Sequence, residues 1–292
     1  MSLEIVMCPP KYIAARIPNN KWMEKIPPEK REINRELAMK QFFDVYSVMS
    51  QYAFVWLIPP KPRLQDQVYV SNAACALPHL KKTIILAKFK AEGRPGEEDA
   101  IAPLLHELGW EIYYSPYYFE GEADLKWVRD NLYIGGYAIR TEKKALEWLE
   151  QEFDCKILPV EKRDPYLYHL DCSVFPLSED YVLVNEKIPK DNMQRIKKEV
   201  EVIEVSEQDC YAGITNSVRL GYTVFNSNNA SAYPPDSIDY KVEIQKNQHL
   251  EEICRRFGLA LYYFDLSEFL KSGALLSCMV LHLTYDRIKL TG

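Results

Sequence analysis

LKWVRDNLYIGGYAIRTEKKALEWLEQEFDCKILPVEK (residues 125–162) reads as one complete structural unit. LKWVRDNLYIGGYAIRT has the look of a hairpin, with Asp130-Asn131 at the turn and Gly135-Gly136 after it. EKKALEWLEQEF (142–153) reads as a helix and KILPVEK as a returning strand. The order strand–strand–helix–strand then recurs on both sides. Upstream, QVYVSNAACAL (67–77) and KTIILAKF (82–89) read as two strands joined by a Pro-containing turn. The helix and strand of EEDAIAPLLHELGWEIYYS (97–115) follow, with a stop at Gly109. Downstream, YLYHLDCSVFPLSEDYVLVNE (166–186) reads as two strands around Ser178-Glu179-Asp180, and NMQRIKKEVEVIEVS (192–206) as a helix running into a strand. SVRLGYTVFNSNNASAYPP (217–235) reads as a strand and a polar turn, NQHLEEICRRFGLALYYFDLSEFLKSG (247–273) as helix, strand and loop, and LLSCMVLHLTYD (275–286) as the last strand. Near the N-terminus, residues 15–28 look like a loop. Residues 28–53 look like a helix with Pro28 in its first turn, followed by FVWLIPPKPR, which ends in a Pro break. The units share no visible sequence identity. Their order is the mark of a pseudo-symmetric α/β repeat, and with no low-complexity stretch or long linker, residues 1–292 are expected to form a single domain.

The chain has 292 residues, 47% of them hydrophobic and 27% charged, which excludes wholesale disorder. The net charge of −6 argues against nucleic acid or an anionic membrane as the partner and leaves a cationic small substrate open. The N-terminus lacks a basic stretch followed by an apolar one, and no apolar run is long enough to span a bilayer. The expected compartment is the cytoplasm, where thiols stay reduced. The seven cysteines are scattered with no CxxC pair, and His79, His106, His249 and His282 have no ligand partner at useful spacing, so no metal site is expected. No GxGxxG or Walker motif supports nucleotide binding, and Lys81-Lys82 and Lys197-Lys198 read as solvated faces.

Four places could carry chemistry. Cys278 lies in GALLSCMVLHL after a loop, SEFLKSGA, that holds Glu268, Lys271 and Gly273. A cysteine in an apolar strand is most often a buried small hydrophobe. His169 and Asp171, two apart in a presumed strand, should share a face and could act as a base and its charge partner. A surface pair is the plainer alternative, but the flanking Tyr168, Leu170, Val174 and Phe175 place the segment inside. FEGEAD (119–124) brings Glu120, Glu122 and Asp124 to the end of a tyrosine-rich strand, and LQDQVYVSNAA (64–74) carries Asp66, Ser71 and Asn72. Taken singly, each of these acidic or amide-bearing ends is commonplace.

In this order, the four signals resemble the guanidino-group-modifying enzymes: dimethylarginine dimethylaminohydrolase, arginine deiminase and the amidinotransferases. The likeness runs from CPPKYIAARIPNNKWM (8–23) through QDQVYVSNAA and RPGEE to SCMVLHL, and is nearest to bacterial proteins similar to dimethylarginine dimethylaminohydrolase. The resemblance implies a five-bladed α/β propeller (the pentein fold), with about 58 residues per unit and the site in a central polar channel. It implies Cys278 as nucleophile and His169 as acid and base, with Glu120, Asp171, Asp66, Asn72 and Asp124 holding the substrate and no cofactor needed. It implies a small guanidino compound as partner, and a homodimer is a further expectation. Hydrolysis of arginine or an N-substituted arginine is the first reading; an amidinotransferase and a non-catalytic guanidine-binding protein are the alternatives. The order of Cys278 and His169 is opposite to that of papain-like hydrolases. Three departures stand out: Glu122 replaces a small residue, Ser71-Asn72 stands where some relatives carry two acids, and Ala274-Leu275 replaces glycines, which should narrow the pocket.

Overall fold

The structure is a computed structural model and describes residues 3–290. Its fifteen strands form five three-stranded sheets. Each sheet has an inner strand antiparallel to a middle strand, and a helix returns the chain to an outer strand parallel to the middle one. The middle strand of the first sheet is β1 (Glu4–Met7) and its outer strand is β2 (Phe54–Leu57). The next sheet holds β3 (Ala74–Ala76), β4 (Thr83–Leu86) and β5 (Glu111–Tyr114). The unit at 125–162 gives β6 (Leu125–Arg129), β7 (Leu132–Tyr137) and β8 (Lys156–Glu161), crossed over by the helix Lys143–Phe153, as its sequence indicates. Then come β9 (Val174–Pro176), β10 (Tyr181–Asn185) and β11 (Glu201–Val205), followed by β12 (Val218–Leu220), β13 (Thr223–Ser227) and β14 (Ala260–Phe264). The last strand, β15 (Leu281–His282), pairs antiparallel with β1 through Ile5–His282 and Val6–Leu281, so the first sheet is completed by the far end of the chain.

This is the five-fold propeller that the resemblance implies. The middle strands β4 and β10 are almost wholly buried, whereas the outer strands β2 and β5 present both end residues to solvent. Hydrophobic clusters fill the spaces between neighbouring blades, for example Ile84, Leu86, Ile101 and Leu105 with Val6 and Leu281. No helix among the described residues is long and apolar enough to cross a membrane, and all seven cysteines are free thiols.

Five local readings need correction. The long N-terminal helix runs Arg35–Met49, not 28–53. The Asn34 side chain caps it by accepting from the Glu36 and Leu37 N–H groups, and Pro28 heads a separate single turn, Pro28–Lys30. SVRLGYTVFNS is a hairpin of two strands with Gly221 and Tyr222 at its turn, not one strand. The HLD and SNAA segments, and the residues around Cys278, are not strands. Each is a one-turn helix leading into the inner strand of its blade: Val70–Asn72, Leu170–Cys172 and Ser277–Met279, joined by Gly121–Ala123 in the FEGEAD segment. Period-two reasoning therefore does not apply to His169 and Asp171.

Candidate active site

The one-turn helices meet at the propeller axis because almost nothing separates their backbones. Gly121 has φ +62°, and a Cβ there would lie 2.5 Å from the Ser71 carbonyl oxygen and 2.7 Å from those of Asn72 and Ala74. Only glycine permits this approach. Each turn sends a polar side chain into the axis: Asn72, Glu120 and Glu122, His169 and Asp171, and Cys278. The chain before β12 adds Asn216. Of Asn72, Glu120, His169, Asp171, Asn216 and Cys278, none is more than 4% exposed.

The Cys278 thiol lies 3.5 Å from Asp171 Oδ2 and 3.5 Å from Asn216 Nδ2. Ser277 Oγ donates to the same Asp171 oxygen at 2.6 Å, and the Ser277 N–H donates to Asn216 Oδ1 at 2.9 Å. Carboxylate, amide and thiol are thus tied to one turn. Burial and the Asp171 charge push the Cys278 thiol up to about 12, with the Asn216 amide opposing them. The thiol stays protonated at neutral pH until a cation is placed beside it.

Across the axis, His169 Nε2 lies 2.7 Å from Glu120 Oε2. Arg140 Nη1 donates to both Glu120 oxygens, at 3.0 and 3.2 Å. Burial penalises the Glu120 charge, but Arg140 and His169 outweigh it and hold the carboxyl well below the usual range. Glu120 is therefore an ionised anchor for the imidazole. Its side-chain contacts are to His169 and Arg140. Asn72 Nδ2 is nearly equidistant from the two ring nitrogens, at 3.2 and 3.4 Å.

Asp124 does not face the axis opening as a substrate ligand would. Its carboxylate accepts from Thr141 Oγ1 at 2.7 Å and from the Leu170 N–H at 2.9 Å, so it fixes the turn that carries His169. Asp66 accepts from Asn19 Nδ2 at 2.6 Å and Gln65 Nε2 at 3.2 Å. Burial raises the Asp66 carboxyl, and the positive field of Arg94 and, more weakly, Arg140 opposes it. Asn19 also accepts from Arg140 Nη2 through its carbonyl at 2.5 Å. Its neighbour Asn20 donates to the Ser272 carbonyl at 3.0 Å, and Trp22 Nε1 to that of Tyr166 at 2.8 Å. Residues 19–22 are therefore stitched to segments on several sides of the axis.

Glu122, the residue that stands where a small one is expected, has its charge offset by neighbours. It accepts from the His282 N–H and lies 2.8 Å from His282 Nδ1, with Lys126 Nζ at 3.5 Å. Burial works against its charge, but His282 and Lys126 bring its carboxyl down to about 2. A depressed carboxyl stabilises the fold above the unfolded value near 4.5, and that contribution is lost as pH falls towards 2. Glu122→Gln is expected to cost about 3 kcal/mol at pH 7, because it leaves Lys126 buried and unpaired. Urea unfolding at pH 7 and pH 3 checks this: the gap between variant and parent should shrink at the lower pH.

Sequence reasoning missed Asn216, Arg140 and Asn19. Glu268 and Lys271, noted before Cys278, pair with each other at 2.8 Å and brace the Asn34 N–H, so they are structural. Among the described residues no cluster of His, Cys, Asp or Glu could hold a metal ion.

A family model described as N,N dimethylarginine dimethylhydrolase, eukaryotic, matches residues 9–284. The bifunctional arginine dihydrolase/ornithine cyclodeaminase AgrE of Nostoc sp. is 25% identical over 290 residues, covering 97% of this chain and 38% of that protein. ArgZ of Synechocystis sp., described in the same words, is 26% identical over 97% of this chain and 38% of its own length. The chain thus spans about two-fifths of these two relatives. The N(G),N(G)-dimethylarginine dimethylaminohydrolase of Mycobacterium tuberculosis is 23% identical over 95% of this chain and 84% of that protein. Among solved structures, the N-terminal domain of ArgZ bound to product superposes with a TM-score of 0.84 at 24% identity, covering 97% of this chain and 98% of that one. A dimethylarginine dimethylaminohydrolase adduct with 4-chloro-2-hydroxymethylpyridine gives 0.71 at 17% identity, covering 97% of this chain and all of that one. At these identities the two structures establish the fold.

Proposed function

The chain belongs to the N,N-dimethylarginine dimethylhydrolase family, and from that premise we propose that it is a cysteine-dependent hydrolase of a guanidine carbon–nitrogen bond. Arginine or an N-substituted arginine is the substrate class. The observation that carries this reading is a buried thiol 3.5 Å from the Asp171 carboxylate, whose own turn is headed by an imidazole fixed by a second carboxylate.

A planar guanidinium laid over Cys278 finds Asp171 to accept its N–H groups and supply the opposite charge. The same cation stabilises the Cys278 thiolate, which burial otherwise disfavours. The thiol proton passes to His169 and Sγ bonds to the central carbon. The leaving nitrogen takes a proton from His169 and departs as ammonia or an amine, giving an amidino-thioether. His169, held by Glu120, then takes a proton from the attacking water. The carbon–sulfur bond breaks, and the ureido product leaves with the thiol restored. Asp66, with Arg94 held by Glu97 and Arg140 held by Glu120 and the Asn19 carbonyl, forms a buried mixed-charge group that would receive the α-ammonium and α-carboxylate of an amino acid. Asn72 lies over the imidazole and keeps it in place. Asp124 acts through the turn it anchors.

The repeat order and the pairing of β15 with β1 support treating residues 1–292 as one domain. Free thiols suit a cytoplasmic enzyme. No feature favours transfer over hydrolysis.

A product assay tests the reading. Purified protein would be incubated with arginine, mono- and dimethylarginine, agmatine and guanidinoacetate, with and without an acceptor amine. A ureido product with release of ammonia or a methylamine is expected. A new guanidino product formed only with the acceptor would point to a transferase instead, and no turnover to a binding protein.

A further inference from the structure

Next to the Asn216 side chain lies a cavity of about 390 Å³ that the arginine reading leaves empty. Asn216, which touches Cys278 Sγ at 3.5 Å, forms part of its wall. Tyr166 and Leu167 on one side and Cys172 on the other bracket the His169–Asp171 segment. The remaining wall near the thiol is Leu275, Gly213 and Cys210, all apolar. Leu275 is seated directly on Gly213: a Cβ at position 213 would lie 2.3 Å from Leu275 Cδ1. Further out, Trp22, Tyr166 and Tyr211 meet edge to face, with ring centres 5.0 to 6.4 Å apart.

We propose that this cavity is a specificity subsite for a neutral, apolar N-substituent of the guanidine, larger than a methyl group. The inference rests on the hydrolase reading and narrows its substrate class. The polar contacts of a guanidinium are met by Asp171, and those of an amino-acid head by the Asp66 group. A substituent on a nitrogen beside the His169–Asp171 segment then enters the apolar wall, where a hydrogen-only nitrogen would leave a void. Lys25 Nζ stands 3.9 Å over the Tyr166 ring and 5.2 Å over that of Trp22, and Asp239 also lines the cavity, so its outer end carries one charge of each sign and the apolar stretch lies at the inner end. If the substituted nitrogen is the one that leaves, it takes the His169 proton and departs as the corresponding amine.

The test compares kcat/KM for arginine, Nω-methylarginine, Nω-propylarginine and Nω-benzylarginine in the wild type, Leu275→Trp and Leu275→Ala. In the wild type, propyl or benzyl substrates should exceed arginine by about tenfold, the gain from burying two to three methylenes. Leu275→Trp fills the cavity and should lower that ratio at least tenfold, whereas Leu275→Ala should hold or raise it. A wild type that prefers arginine over every bulky analogue, or a ratio unmoved by Leu275→Trp, overturns the proposal. If no compound is turned over, the hydrolase reading fails separately. The subsite is then judged by calorimetric Kd values in Cys278→Ser: tighter binding of benzylarginine than of arginine supports it, and equal or weaker binding overturns it.

Discussion

Cys278→Ser abolishes turnover, with an expected loss on the order of 10⁴-fold or more, because serine in this buried site has no means of ionising. The substitution changes one atom, so the unfolding free energy from urea titration should change by less than about 1 kcal/mol. The pH dependence of alkylation separates this prediction from a general loss of structure. With the wild-type thiol pushed up to about 12, a neutral reagent such as iodoacetamide should label Cys278 slowly at pH 7, and the rate should still be climbing at pH 10. A cationic reagent such as 2-chloroacetamidine brings its own positive charge to Asp171 and should label it far faster at pH 7. Equal rates for the two reagents would mean that a bound cation does not activate the thiol. Peptide mapping should place the adduct on Cys278, and an adduct on Cys172 or Cys210 would remove Cys278 as nucleophile.

His169→Ala carries the second-largest effect, a fall in kcat of about 10²–10⁴-fold. The variant keeps Cys278, Asp171 and Asn216 in place, so 2-chloroacetamidine should still label the thiol, and substrate should still protect it. Glu120→Gln should act in the same direction, since it removes the anion that fixes the imidazole 2.7 Å away. It should also displace the acid limb of the kcat profile, which loss of a merely structural residue would leave where it was. Unchanged kcat in His169→Ala would take the imidazole out of the chemistry.

Much of the fold is legible in one stretch. The hairpin, helix and returning strand of 125–162 fall where the sequence puts them, because Asp130 can adopt its positive φ of 41° at the turn and the helix buries Ala145, Leu146, Leu149 and Phe153 on one face. The stop at Gly109 also holds, at φ +72°. The readings fail at the inner strands. Those strands are two to five residues long, and all but β12 are preceded by a single helical turn, too short for either period to register. Asn216 was missed for that reason: once SVRLGYTVFNS is taken as one strand, its blade loses the inner strand that marks the axis position. The other four blades place a polar residue two or three positions before that strand, which is the signal that could have found it.

The sequence alone determined the repeat order, and through its resemblance the family and the pairing of Cys278 with an upstream histidine, since these depend on residue type and order. Tertiary structure decided what each polar side chain faces. Glu120 meets His169 and Arg140, Asp124 holds a backbone turn, and Glu122 is paired with His282 and Lys126. These contacts join positions 46 to 160 residues apart, apart from the Arg140 and Lys126 pairs, and bury each carboxylate where only a specific partner can offset desolvation. No local pattern encodes such a partner, because it is set by which turns the closed ring of blades brings to its axis.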